Sequence, residues 1–480
     1  MLKKTFRWVL FVIACLVTLV ALFYAEEDWR GKHAWDTYQR QREANGDSFE
    51  WSSVVPPAVP DSENFATIPL FAELFPKPPA HPRLYAIRLP ACANALGNWH
   101  TGRMEDLSAW QACFTNADLL AALSRYEPVL REISEASRRP YCRFPIRYED
   151  GGAMLLPHLN YLRSLARVYR LRALAELAVG NTDAAFDDVQ MCLRLADKLK
   201  DEPTLISFLV RAAVLDTAAQ PVWEGVVAHR WNESQLAALR VGFEQADLFA
   251  SFVKAMRGER LCNYYYICSM REHPSQSGFV NALMNANDDL SPTNWLDRAV
   301  PSGWLYQNQL ATDRFYTEAY LSSIDEEHRR VDPQTFGNID RSTKSMRITP
   351  YNVMRKLLVA GLGNAANHMA RAQTSVDEAA VACALERYRL VHGQLPDTLP
   401  ALVPEFLASV PHDVIDGEPL RYRRLPDRQY VLYSVGWNGV DDGGQIAFTG
   451  TGNSRHQDFN QGDWVWFSQP QPQPPASDGK

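Results

Sequence analysis

The spacing of apolar positions changes along this chain, and each change predicts a different element. From Trp8 to Tyr24 no position is charged; Lys3, Lys4 and Arg7 precede the run, and Glu26, Glu27 and Asp28 follow it. At 1.5 Å per residue the run makes about 26 Å of helix, slightly short of a hydrocarbon core of about 30 Å. It exceeds the usual 7–15-residue core of a signal peptide. Cleavage after Ala25 would place Phe23 at −3, where a small residue belongs. Trp8 and Tyr24 stand where interfacial aromatics belong, and the basic flank should stay cytoplasmic. Residues 1–31 therefore read as a basic tip and an uncleaved signal anchor, with the rest outside the inner membrane. A cleaved signal peptide is the alternative.

The next pattern is uneven. "VVPPAVPDSENF" and "FPKPPAHP" concentrate proline between residues 32 and 84, which reads as an extended linker. From Asp106 to Glu272 helical spacing dominates, as in Leu162, Leu165, Val168, Leu171, Leu174 and Leu177. Gly180 ends that helix, and Asn181 or Thr182 can cap the next. The hairpin grammar is that of helical repeats, but no register recurs at a fixed period. Asn232 with Gln235 forms a capping-box pattern. Residues 274–294 and 326–349 are polar and irregular, and "GWLYQNQLATDRFYTEAYLSSID" between them predicts one more helix. Residues 85–349 make an antiparallel α-helical body. "YNVMRKLLVAGLGNAANHMARAQTSVDEAAVACALERYRLVHG" then predicts a long helix with Val376, Ala380, Ala384, Tyr388 and Val391 on one face and Gly393 at its end.

Composition changes this picture little. The 480 residues are 46% hydrophobic and 22% charged, with a formal net charge of −7. That balance offers no basic face for nucleic acid. Of the eight cysteines, Cys15 lies in the apolar run, and Cys192 and Cys383 sit on apolar helical faces. Cys92, Cys113, Cys142, Cys262 and Cys268 form the pool for disulfides in an oxidising compartment. Gly361, Gly363 and Ala366 match a dinucleotide fingerprint, but the following residues stay helical where a second strand is required. His158, His328 and His368 form no ligand spacing, and no nucleophile elbow or Walker loop is present.

The end of the chain differs. After the helix come Leu395-Pro396, Leu399, Leu402, Val403, Pro411-His412-Asp413, Asp416-Gly417, Pro419 and Tyr422. "RYRRL" and "QYVLYSV" read as strands joined by "PDR", and "DWVWF" finishes a small sheet. Past them, "VGWNGVDDGG" gathers glycines and hard oxygen donors, equally compatible with an ion-binding loop or an Asx/Gly-rich turn. In this order, from about Ala379 to Trp466, the segment resembles the soluble C-terminal region of type II secretion major pseudopilins. The resemblance implies a small α+β module within residues 350–467. It also implies a calcium loop, with the Val435 carbonyl, the Asn438 side chain and Asp441, Asp442 or Asp463 as ligands.

Val414 and Asn438 depart from the family, which has proline and aspartate there. The pseudopilin leader and its glutamate are also missing ahead of Phe11, so neither prepilin processing nor polymerisation is expected. Residues 468–480 read as a disordered tail. The chain as a whole reads as mainly α: a transmembrane helix, a helical body and a small pseudopilin-like sheet module. The expected role is non-enzymatic binding or scaffolding in a cell-envelope, type II secretion-like assembly, with the membrane and an envelope protein as partners. Rival readings are an exported hydrolase, with its site near Cys92–Trp110 or "NYYYICS", and a helical-repeat peptide adaptor.

Overall fold

The computed structural model describes residues 2–75, 116–285, 295–426, 429–450 and 456–470. The protein is mainly helical, with one N-terminal apolar helix and a short antiparallel sheet near the C-terminus. Helix α1 spans Leu2–Ala44, and its apolar half, lying within the stretch from Thr5, has no burial inside the protein. Such a helix is consistent with membrane anchoring.

The extended linker expected from Lys32 is not seen at its start, because α1 continues to Ala44. Trp35 and Tyr38 are buried one turn apart and hold this half against the body. The following segment is also packed: Phe49, Trp51, Phe65, Phe71 and Leu74 are buried. Asn64 bonds Arg143 in both directions, Nδ2 donating to the carbonyl and Oδ1 accepting from the amide. Proline blocks regular helix here, yet aromatic burial pins the irregular backbone. A short helix α2, Pro69–Ala72, closes the segment.

Helices α3 (Asn116–Ser124) and α4 (Glu127–Ala136) lead into the body. Helices α5 (Pro157–Val179), α6 (Thr182–Asp197) and α7 (Leu205–Val227) pack on one another. Gly180, at φ 86°, ends α5 in the left-handed region, so the chain turns straight into α6. Helix α8 (Glu233–Glu244) opens with the capping box of Asn232 and Gln235. Helix α7 is apolar enough to cross a bilayer, but Leu215, Val222 and Trp223 bury it in the core.

Helix α9 (Leu248–Glu272) is followed by α10 (Phe279–Asn285) and α11 (Trp295–Arg298). Helix α12 (Ser302–Arg314) continues as a π-helical turn, Phe315–Tyr320. A hairpin of β1 (Ile324–Asp325) and β2 (Arg330–Val331) replaces the irregular stretch expected around His328. Helices α13 (Pro333–Ser345) and α14 (Val353–Leu358) precede α15 (Gly363–His392). The long C-terminal helix is thus interrupted once, at Gly361, whose φ is 84°. No strand flanks the glycines among the described residues, so the dinucleotide reading has no structural support.

From Ala379 to Glu386, α15 is buried on every side. Its alanines let α7 and α8 approach one face and the sheet another. Val391, expected on one face with Val376, Ala380 and Ala384, is exposed while those three are buried. The apolar core is continuous from Leu162 and Trp223 in the helices through Leu402 and Phe406 to Leu432, Trp464 and Trp466 in the sheet. The Trp223 indole donates to the carbonyl of Phe467 at 2.7 Å.

Cys142, Cys262 and Cys268, expected to pair, are free thiols, as are the buried Cys192 and Cys383. Burial pushes the thiols of Cys262 and Cys383 up to about 12, which leaves them unreactive at neutral pH. Cys92 and Cys113 lie outside the described residues.

Candidate functional site

Strands β3 (Arg421–Arg424), β4 (Tyr430–Ser434) and β7 (Trp464–Phe467) form the sheet in the order β3-β4-β7, all antiparallel. Tyr422 pairs with Leu432, Tyr433 with Val465, and Ser434 with Trp464. Both expected strands and the finishing "DWVWF" strand are therefore present and neighbouring. A second hairpin, β5 (Ile446–Thr449) with β6 (His456–Gly462), was not expected. Its β6 strand, "HQDFNQG", is mostly polar and offers no clean alternation to read.

The five candidate ligand residues do lie on and around one loop. Asp463 is fully buried. Its Oδ1 accepts from the amide of Asp442 at 3.2 Å, and its Oδ2 from the amides of Gly444 and Gln445 at 2.6 and 3.3 Å. Burial holds its carboxyl above the ordinary carboxylate range despite these three donors. Asn438 turns its amide nitrogen toward Asp442 Oδ2, 3.0 Å away, and its oxygen toward the amide of Val440. Asp441 accepts from the Tyr433 hydroxyl at 3.1 Å and from the amide of Gly443 at 2.9 Å. The amide of Val435 donates to Asp413 at 3.0 Å.

The donor chemistry suits calcium, but the oxygens of Asp463 face N–H groups, and Asn438 presents a nitrogen. Among the described residues no three His, Cys, Asp or Glu side chains are gathered as metal ligands would be. In this arrangement the loop is closed by its own amides around the buried Asp463 carboxylate.

Beneath the loop lies a group of carboxylates that spacing alone could not reveal. Asp413 is fully buried and accepts from Ile415, from Val435 and, at 3.3 Å, from Arg421. Asp377 and Glu378 on α15 share its electrostatic field, and burial raises both, Asp377 to about 7. Glu378 Oε1 is buried without a hydrogen bond. A carboxyl raised to about 7, as Asp377 is, is mostly protonated at slightly acid pH and can then donate a hydrogen bond instead of carrying charge.

Beside the sheet a cleft of about 280 Å³ opens between α15 and the β5–β6 hairpin. Asn364, Asn367, His368 and Arg371 line it from α15, at the spacing of a single helical face. The Arg371 guanidinium stacks on the Phe459 ring at 3.9 Å, and Asn367 donates to Asn460 at 2.9 Å. Burial lowers Arg371, with Asp216 opposing that shift, and burial and Arg371 together lower His368. A desolvated guanidinium over an aromatic face is suited to a carboxylate or phosphate group.

The stretch "NYYYICS", one candidate for a hydrolase site, lies on α9. Tyr264 stacks on Trp35 and meets Phe49 at a tilt, and Asn263 donates to Tyr316 at 2.9 Å. Cys92–Trp110 lies outside the described residues. Buried His158 pairs with Glu202 at 3.0 Å, and the Ser207 hydroxyl also donates to Glu202. The acid stands between the serine and the histidine, so the imidazole has no route to the hydroxyl proton and nucleophile activation is not built here. Compared with known proteins, the chain matches no family model, no curated protein and no solved structure.

Proposed function

We propose that this is an exported bacterial envelope protein, anchored in the inner membrane with its N-terminus cytoplasmic and its body periplasmic, that acts by binding rather than catalysis. The observation that carries this reading is the continuity of α1 from the lipid-length apolar run into the buried Trp35 and Tyr38, without a flexible joint. A rigid stalk presents a surface. It does not by itself assemble a catalytic site. The type II secretion-like setting rests on the ordered residues from Ala379 to Trp466. Within that reading, the cleft beside Arg371 receives an anionic group of the protein partner, such as a carboxylate.

A benzophenone amino acid placed in cells at Asn364, on the cleft rim, is expected to yield adducts with a small set of envelope proteins in the membrane fraction. Arg371→Glu in the same background should cut the yield about tenfold, since the cation becomes an anion. No protein adduct at Asn364 would remove the binding role. A mature N-terminus at Glu26 would remove the anchor. Calcium belongs to the same reading, and binding would require Asp463 to release its amides. Chelator should then lower the melting midpoint of the full chain in detergent, and an unchanged midpoint would dismiss the ion.

A further inference from the structure

The end of the apolar run coincides with the beginning of the body. Tyr24 closes the run, and its hydroxyl donates to the carbonyl of Ala299, just before α12. The Phe23 ring meets Trp304 edge-on, with centroids 6.4 Å apart. Helical side chains tilt toward the helix N-terminus, here toward the bilayer. The atoms that Phe23 and Tyr24 touch therefore lie at the depth of those residues or deeper. The run is also a few ångströms shorter than a hydrocarbon core, which draws its end, with whatever is attached, into the interfacial layer.

Of the three acidic residues just past the run, Glu26 is exposed and pairs with Arg30 at 3.4 Å, and the other two face inward. Glu27 is buried and accepts from Arg30 at 2.7 Å, from the Trp304 indole at 3.0 Å and from the Tyr351 hydroxyl at 3.1 Å. Asp28 accepts the amide of Gly303 at 2.8 Å. Their charge is spent inside the protein.

Close to Ala299 in the chain, and on the helix packed against that segment, the protein exposes large apolar side chains. Trp295, one turn before Ala299 on α11, is 72% exposed, and Met284 on the adjoining α10 is 74% exposed. Arg298 beside them is exposed too. Single exposed apolar residues are ordinary. A tryptophan, a methionine and an arginine held beside the exit of a membrane-length helix make the pattern of an interfacial contact.

We propose that the exposed ends of α10 and α11 rest on the outer face of the inner membrane, with Trp295 and Met284 in the interfacial layer and Arg298 at the lipid phosphates. The occupant is the bilayer itself, continuous with the lipid around α1. This rests on the reading of α1 as membrane-spanning. The consequence is a body fixed in tilt and rotation, because one helix and one surface patch define a plane where a helix alone leaves a free axis.

The test uses the full chain, purified and reconstituted into nanodiscs of phosphatidylcholine and phosphatidylglycerol. Benzoylphenylalanine replaces, one at a time, Trp295, Met284, Leu19 within the apolar run, and Val440 on the exposed loop. After irradiation, lipid adducts are counted by mass spectrometry. Leu19, Trp295 and Met284 should each give lipid adducts at least about tenfold above Val440. Adducts at Leu19 with none at Trp295 and Met284 would overturn the resting surface while leaving the anchor intact. Adducts at none of Leu19, Trp295 and Met284 would overturn both. Cross-linking of Trp295 to a second copy of the chain, in place of lipid, would overturn the lipid assignment.

Discussion

Two buried carboxylates hold the two ends of this protein, and they are neutralised in opposite ways. At the membrane exit, Glu27 is surrounded by side chains from three elements: Arg30 on α1, Trp304 on α12 and Tyr351 just ahead of α14. In the C-terminal loop, Asp463 is held by the amides of Asp442, Gly444 and Gln445. The first arrangement is long-range and depends on how helices cross. The second is built almost wholly from backbone, so the glycines of the loop set its shape. A joint between distant elements tolerates little change in helix spacing, whereas an amide nest tolerates many side-chain changes but not loss of its anion.

The largest effect should come from the helix crossing. Gly31 and Gly303 face each other where α1 meets α12, and a Cβ on Gly303 would collide with the carbonyl oxygen of Glu27. Gly303→Val should cost about 3 kcal/mol or more and expose the segment around Lys32 to protease. An unaltered digestion pattern would mean that the crossing is not tight.

Next comes the loop. Asp463→Ala leaves three amides without their acceptor and should cost about 3 kcal/mol. Hydrogen exchange at Asp442, Gly444 and Gln445 should accelerate while α1 and α12 keep their protection. Spreading of the loss into α12 would show that the two ends are not independent.

A smaller effect is expected of pH. Asp377, faced by Gln373 and Arg329 and by the carboxylates of Asp247 and Asp413, is pushed up to about 7 from 3.8. The folded state then binds more protons than the unfolded chain across that window, so stability falls as pH rises from about 4 to 7. Glu378 acts in the same direction. The urea midpoint should be lower at pH 8 than at pH 5, and Asp377→Asn should flatten the difference. An equally steep profile in the variant would reassign the effect.

The mildest change separates the two ends most cleanly. Tyr24→Phe removes the single bond to Ala299 and should cost about 1 kcal/mol at the membrane end alone. Thermal melting in detergent reads it, and a change in loop exchange would contradict the separation.

Much of the fold was legible because it depends on neighbours along the chain. Gly180 and Gly393 end their helices in the left-handed region, and Asn232 with Gln235 caps α8. Strands β4 and β7 follow apolar runs, and β3, with three arginines around Tyr422, is marked by the turn residues beside it. The extension of α1 was written in the spacing of Glu27, Gly31, Trp35 and Tyr38, but the polar residues between them masked it. The β5–β6 hairpin did not show because β5 is only four residues long and β6 is mostly polar. The cleft beside Arg371 was half legible: its α15 face repeats at helical spacing, while Phe459 comes from a distant strand.

The sequence by itself therefore determined the apolar run, the helix ends, three strands and the oxygen-rich loop, because a hydrophobic run, a cap or a turn involves only residues a few positions apart. Tertiary structure alone decided what neutralises Glu27, which thiols stay free, where Asp377, Glu378 and Asp413 meet, and that one core joins helices to sheet. Those outcomes depend on desolvation and on partners far apart in the chain, and a burial energy has no value until the second surface arrives.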